Sequence, residues 1–255
     1  MKNFFKTSSS SQTAQFYDAL MEGEEKRWTL GKDTRFNAVR IARRASTHKY
    51  FGNVVRPHLK ENDVVLDFGC GPGSFLAVAS LFCQKIIGVD ISQKFIDSCD
   101  STLRELNLGN AEAQHIAPGN LPFSDHTFDA VIMVDVLHHL ENIDPNLREV
   151  CRVLKPGGKM LIFEPNLLNP MMALMHALDR NEWGLLKLGT PWRYRRVLKS
   201  FLKIDTLAFN GIVIGPESGI FPLISDFLDL GIIRPWLGWL MPKIFIAGIK
   251  PDKKD

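Results

Sequence analysis

Apolar and polar positions alternate along this chain in short blocks, most of them bounded by turn residues. Val64-Val65-Leu66 is a short β-branched run that ends in Asp67 and the glycine-rich Phe68-Gly69-Cys70-Gly71-Pro72-Gly73. It reads as a buried strand, 64–68, running into a tight turn. A helix follows at 74–83, and Ile86-Ile87-Gly88-Val89-Asp90 repeats the pattern of an apolar strand closed by an aspartate. The same reading places a helix at 93–107, strands near 111–116 and at 129–134, a helix at 143–153 and a strand at 159–164. Pro156-Gly157-Gly158 marks the turn into that last strand. Strands alternating with helices predict right-handed crossovers and a parallel sheet.

The flanks follow other patterns. Residues 1–13 read as disordered. Residues 14–58 are helical but mixed, with Tyr17, Leu20 and Met21 on one face and Ala38, Ile41, Ala42 and Ala45 on another. Beyond Glu164, Met171–Leu178 reads as a short apolar helix and Arg193–Leu202 as a basic one. Leu207-Ala208-Phe209 and Ile244–Ile249 read as the last strands. Between these strands, residues 211–242 are apolar and broken by Pro216, Pro222, Pro235 and Pro242. A connection of that length carries structure or function of its own.

Composition narrows the class. The 255 residues are 45% hydrophobic, enough for one α/β domain with additions. A net charge of +3 gives no basic stripe for nucleic acid. The four cysteines show no CxxC pair and no metal spacing, so they read as reduced thiols and no metal site is expected. There is no signal-peptide core and no long uncharged apolar stretch, and a cytoplasmic enzyme is the expectation.

The chemistry starts at Asp67. Glycines at a strand-to-helix turn let the backbone approach a ligand. Their spacing is G-x-G-x-G, however, where dinucleotide binders carry G-x-G-x-x-G. A carboxylate at the strand tip repels a phosphate and attracts an ammonium, such as that of S-adenosylmethionine. Asp90, 19 residues after Gly71, stands where an acid accepts hydrogen bonds from ribose hydroxyls.

These residues, followed in order by Leu121-Pro122-Phe123-Ser124-Asp125, Asp135-Val136-Leu137-His138-His139 and Val153-Leu154-Lys155-Pro156-Gly157-Gly158, resemble the class I S-adenosylmethionine-dependent methyltransferases, strongly over about residues 50–165. The resemblance implies an α/β fold: a Rossmann-like, mostly parallel seven-stranded sheet with helices on both faces and an antiparallel last strand. It also implies a helical cap at 14–58 and a methyltransferase domain at 59–255. That domain divides into a cofactor core, 59–165, and an acceptor side, 166–255, which carries the 211–242 insertion. The cofactor residues it implies are Asp67, Gly69, Cys70, Gly71, Gly73, Asp90, Ile91, Asn120, Leu121 and Asp135. Ala117 stands where relatives carry an adenine-binding acid, which leaves the adenine to backbone groups, Asn120 and apolar contact with Ile91.

For the acceptor, His138 and His139 follow the fourth strand at the carboxyl edge and suit a base; His138, sooner after the strand, is the first choice. Asp135 is placed to orient a histidine or to line the methionine end of the pocket. Glu164, Asn166, Arg193, Tyr194, Tyr17 and Trp236 are further acceptor candidates, with Phe221 and Trp239 as partners in the insertion. The expected reaction is methyl transfer to a small or lipid-like acceptor, at oxygen before carbon or nitrogen, with peripheral membrane contact as a corollary. The alternatives are a binding module that keeps the cofactor fold without catalysis, and a nicotinamide oxidoreductase, which the glycine spacing and Asp67 disfavour.

Overall fold

The two aspartate-terminated runs lie side by side in the middle of the sheet. A computed structural model describes residues 9–22, 37–178, 182–210 and 234–252, with the single positions 223, 227 and 232. Strands β1 (Val64–Phe68) and β2 (Lys85–Asp90) pair in parallel with Asp67 opposite Gly88, and β3 (Ala111–His115) adds outside β2. The chain then returns, and β4 (Phe128–Val134) pairs with the other edge of β1. This reversal between β1 and β4 is the switch point at which open α/β sheets hold ligands.

Strand β5 (Leu154–Pro165) continues the parallel set, and β6 (Lys203–Asn210) and β7 (Lys243–Ile249) complete seven strands in the order β3-β2-β1-β4-β5-β7-β6. The last strand, β7, is antiparallel to both of its neighbours. Strand period puts successive residues on opposite faces. Accordingly Val65, Ala130 and Ile132 join one core cluster, and Leu66, Val131 and Met133 join the other. Both faces of the central strands are therefore dry, as a parallel sheet requires.

Helices α1 (Ser10–Glu22), α2 (Ala38–Ala42) and α3 (Ala45–Val54) precede the sheet. The first of them starts at Ser10, inside the 1–13 stretch expected to be disordered. Residues 23–36 of the expected cap lie outside the described residues. Helix α4 (Ser74–Ala79) follows the glycine turn, α5 (Gln93–Glu105) follows β2, and α6 (Ile143–Val153) precedes β5.

After β5 come α7 (Pro170–Ala177), α8 (Trp183–Leu188) and α9 (Pro191–Leu198). Pro170 and Pro191 stand at the starts of their helices, where a missing N–H costs nothing. This moves the basic helix about two residues earlier than its charge pattern suggested. The short α8 has too few residues for a readable period. Most of the 211–242 insertion, including Phe221, lies outside the described residues. Among the described residues no helix is long and apolar enough to cross a membrane.

Candidate functional site

A cavity opens at the carboxyl ends of β1, β2 and β4, at the switch point, and α1 covers one side of it. Asp67, Gly69, Cys70, Gly71, Asp90, Ile91, Asn120, Leu121, Asp135, His139 and Tyr17 all line it. Gly73 stands behind the wall. A Cβ there would lie 2.6 Å from Cys99 Sγ, and one on Gly69 would lie 2.4 Å from Val136 Cγ2. Both residues also have φ near +80°, so these glycines serve close packing. Gly71 differs, because a Cβ added there meets nothing within 4 Å. It faces open space on the cavity wall.

Asp67 is 2% exposed, and among the described residues no hydrogen-bond donor reaches its carboxylate. Burial, with Asp90 nearby, pushes its pKa up to about 7. A buried carboxylate without donors gains most from a cation placed against it. Asp90 accepts the amides of Gly71 at 3.0 Å and Ser92 at 2.9 Å, which closes the glycine turn onto β2. Burial still outweighs these bonds and raises its pKa to about 6. The pair fits the ammonium and ribose of S-adenosylmethionine, and the Gly71 wall leaves the room such a ligand needs.

At the far end, Leu121 donates its amide to Glu149 Oε1 at 2.9 Å, and Arg152 fixes that carboxylate from two nitrogens. Glu149 lines the cavity, so α6 supplies an acid to the region where Ala117 does not. Arg152, three residues on, pairs with it and masks it in the sequence as an ordinary helix ion pair.

Helix α1 docks through polar contacts to α5. Ser92 donates its hydroxyl to Asp18 at 2.5 Å, the Lys94 amide donates to the same oxygen at 3.3 Å, and Lys94 pairs with Glu22 at 2.9 Å. The Tyr17 ring leans on Phe95 with centroids 5.1 Å apart. This docking brings the Tyr17 hydroxyl to the cavity, 3.1 Å from His139 Nε2.

The two histidines after β4 have separate environments. Asp135 has φ +58° and accepts from the Lys243 ammonium. Glu164 Oε1 then accepts the amides of Val136 at 3.0 Å and Leu137 at 2.7 Å. Its Oε2 accepts His138 Nδ1–H at 2.6 Å and the Tyr194 hydroxyl at 3.3 Å. His138 is 2% exposed and donates Nε2–H to Glu182 at 3.1 Å. Burial alone would lower its pKa, but the two carboxylates outweigh burial and push it up to about 10. An enclosed imidazole held in its protonated form between two carboxylates is not placed to take up a substrate proton. His139 lines the cavity instead.

The other acceptor candidates fall away from the cavity wall. Glu164 and Asn166 are fully buried. Asn166 donates to the carbonyls of Trp239 and Met241, both at 2.8 Å, and tethers the approach to β7. Tyr194 is buried under Glu164, and burial raises the pKa of its hydroxyl. Arg193 is exposed and donates to the Leu186 carbonyl at 2.8 Å. Trp236 is 79% exposed. Sequence reasoning missed His176 and Glu182, which lie in the motif-free segment after β5. His176 donates Nδ1–H to the Met172 carbonyl at 2.7 Å.

Comparison with known proteins agrees with this geometry. Residues 66–162 match the family model of the methyltransferase domain. The chain is 36% identical over 128 residues to a demethylmenaquinone methyltransferase of Symbiobacterium thermophilum, covering 46% of this chain and 47% of that protein. It is 32% identical over 109 residues to a sterol 4-C-methyltransferase of Caenorhabditis elegans, covering 42% and 32% respectively. The chain thus spans about half the length, or less, of the curated relatives it matches. A crystal structure of a SAM-dependent methyltransferase from Aquifex aeolicus superposes with a TM-score of 0.56 at 16% identity, over 91% of this chain and 98% of that one, a likeness of fold.

Proposed function

We propose that this chain, which through residues 66–162 belongs to the class I S-adenosylmethionine-dependent methyltransferases, transfers the cofactor's methyl group to a small, largely apolar acceptor at a hydroxyl oxygen. The observation that carries the reading is Asp67: a buried carboxylate without a donor among the described residues, beside Asp90, at the switch point of the sheet. When bound, the cofactor supplies a methyl group already activated by its sulfonium. The protein has then to align the acceptor and take up its proton.

Each residue has a part. Asp67 would meet the ammonium, and Asp90 would accept from the ribose while it holds the Gly71 amide. Ile91 and Leu121 give apolar walls, and Asn120 and its neighbouring backbone border the adenine end. On the acceptor side the role passes from His138 to His139, because His139 alone of the two lines the cavity. With the Tyr17 hydroxyl against its Nε2, His139 is placed to receive the acceptor's proton. The relative named for 4-C methylation of a sterol supports an apolar acceptor, and it favours a carbon nucleophile as the second reading.

Calorimetry with S-adenosylmethionine, S-adenosylhomocysteine and NAD tests the cofactor directly. Micromolar binding of the first two and none of NAD is expected. Binding of NAD alone would overturn the assignment. Release of S-adenosylhomocysteine on incubation with apolar phenols and quinols tests the acceptor.

A further inference from the structure

The apolar side chains that folding leaves uncovered are gathered in one region. Among the described residues, nine of the ten large apolar side chains that remain exposed lie between positions 171 and 239. Three of them, Met171, Leu174 and Leu178, recur at i, i+3 and i+7 and so line one face of α7, while His176 turns into the protein. On α9 the inward positions are Tyr194 and Leu198, and Trp192, Arg195, Arg196 and Lys199 share the outward face. Trp236 and Trp239 are exposed in the short turns before β7.

These elements are continuous. Trp183 on α8 donates its indole N–H to the Ala177 carbonyl of α7 at 3.1 Å, and Arg193 on α9 donates to the Leu186 carbonyl of α8 at 2.8 Å. Asn166 and Asn169 hold the carbonyls of Trp239 and Leu240 beside the start of α7. The group lies at the carboxyl edge of the sheet, where Pro165 at the end of β5 pairs with Lys243 at the start of β7. Lys243 reaches Asp135 on the cavity wall, so the exposed region borders the same edge as the cavity.

Charge selects the partner. Over residues 166–203 the sequence carries seven basic residues and two acids, Asp179 and Glu182, a net +5 in a chain whose total is +3. Glu182 is buried, and among the described residues no carboxylate pairs with Arg195, Arg196 or Lys199. A two-fold interface sets the same surface of both subunits face to face, so a second copy docked here would oppose like charges. A bilayer with anionic headgroups meets both the apolar and the basic side chains. Tryptophan favours the headgroup boundary, exposed aliphatic side chains enter the acyl region, and each arginine or lysine at the surface adds attraction.

We propose that α7, α9 and the turns carrying Trp236 and Trp239 form a docking surface for an anionic lipid bilayer. Met171, Leu174, Leu178 and the tryptophans enter the interface, and Arg195, Arg196 and Lys199 meet the lipid phosphates. Resting on the methyltransferase reading, this attachment sets the cavity at the membrane surface, where an apolar acceptor dissolved in lipid reaches it without crossing water.

The test uses the full chain and sedimentation with vesicles of phosphatidylcholine, alone or in equal mixture with phosphatidylglycerol. The chain should sediment with the mixed vesicles and not with phosphatidylcholine alone, and added salt should weaken the binding. Lipids brominated on the acyl chains should quench its tryptophan fluorescence. Arg195→Gln with Arg196→Gln should weaken binding about 30-fold, and Leu174→Ser with Trp236→Ser about tenfold or more. Lys60→Gln with Arg104→Gln, which removes two exposed charges elsewhere, should leave it unchanged. No sedimentation with the mixed vesicles, bound protein that brominated lipid leaves unquenched, or surface variants that bind like the unmutated chain would overturn the proposal. So would a dimer that Leu174→Ser with Trp236→Ser dissociates, since the surface would then belong to a second copy. All the changed side chains are exposed, and circular dichroism confirms that the variants fold. Cofactor calorimetry without vesicles is a separate readout, and its failure would count against the methyltransferase reading alone.

Discussion

At the residue scale, Asp67 and Gly71 give opposite kinds of test. Gly71→Val puts a side chain into open space but on a backbone at φ +53°, so the fold should survive with a loss of about 1–3 kcal/mol from backbone strain while S-adenosylmethionine binding is abolished; calorimetry beside a thermal melt separates the two. Asp67 acts through pH. Its folded pKa of about 7 lies above an unfolded value near 3.9, so its contribution to stability is full below about pH 4 and is lost as pH rises through 7. Compared with Asp67→Asn, the ligand-free protein should therefore lose stability between pH 4 and 7, at up to about 1.4 kcal/mol per pH unit. Cofactor binding should move the other way, because the ammonium needs the ionised carboxylate. Affinity should climb up to about tenfold per unit below pH 7 and level off above it, and Asp67→Asn should remove that slope. A flat calorimetric profile from pH 5 to 8 in the unmutated protein would separate Asp67 from the ammonium. Asp67 and Asp90 were readable in the sequence because each ends an apolar run. Glu182 was not, because its partner His138 is distant in the chain and no local period connects them.

At the scale of elements, strand and helix order was legible from 64 to 164 because strand period, glycine turns and proline breaks agree there. It was less so beyond, where side-chain tethers set the geometry. Asn169 shows why. It caps α7 by accepting the Met172 amide at 3.0 Å, and it also donates to the Leu240 carbonyl. One side chain thus joins the start of α7 to the entry of β7, and no pattern of hydrophobicity encodes that link. Asn169→Ala loses a cap worth about 1 kcal/mol and leaves the partly buried Leu240 carbonyl without its donor, at about 1–3 kcal/mol. Urea unfolding should show a loss of about 2–4 kcal/mol, against about 1 kcal/mol for Asn37→Ala, which caps the short α2. Equal losses would mean that the Leu240 tether contributes nothing.

At the scale of the molecule, the sheet and its cover separate into a rigid frame and a docked lid. The frame carries Asp67, Asp90 and the glycine turn, dry on both faces. Helix α1 rests on α5 through Asp18, Tyr17 and the Lys94–Glu22 pair. That last pair is about half exposed and contributes little. Asp18 is the stronger link, because it meets the hydroxyl of Ser92, the N-cap of α5, beside Asp90. Asp18→Ala should therefore loosen the lid and leave the sheet alone. Cofactor release should speed up by about tenfold while association changes less, since most affinity differences within one site lie in the off-rate. Thermal stability should fall by no more than the loss of its two hydrogen bonds, about 1–3 kcal/mol. Stopped-flow displacement of S-adenosylhomocysteine reads the rate, and the melt reads the frame. A large drop in Tm with an unchanged release rate would make α1 part of the frame and end its role as a lid.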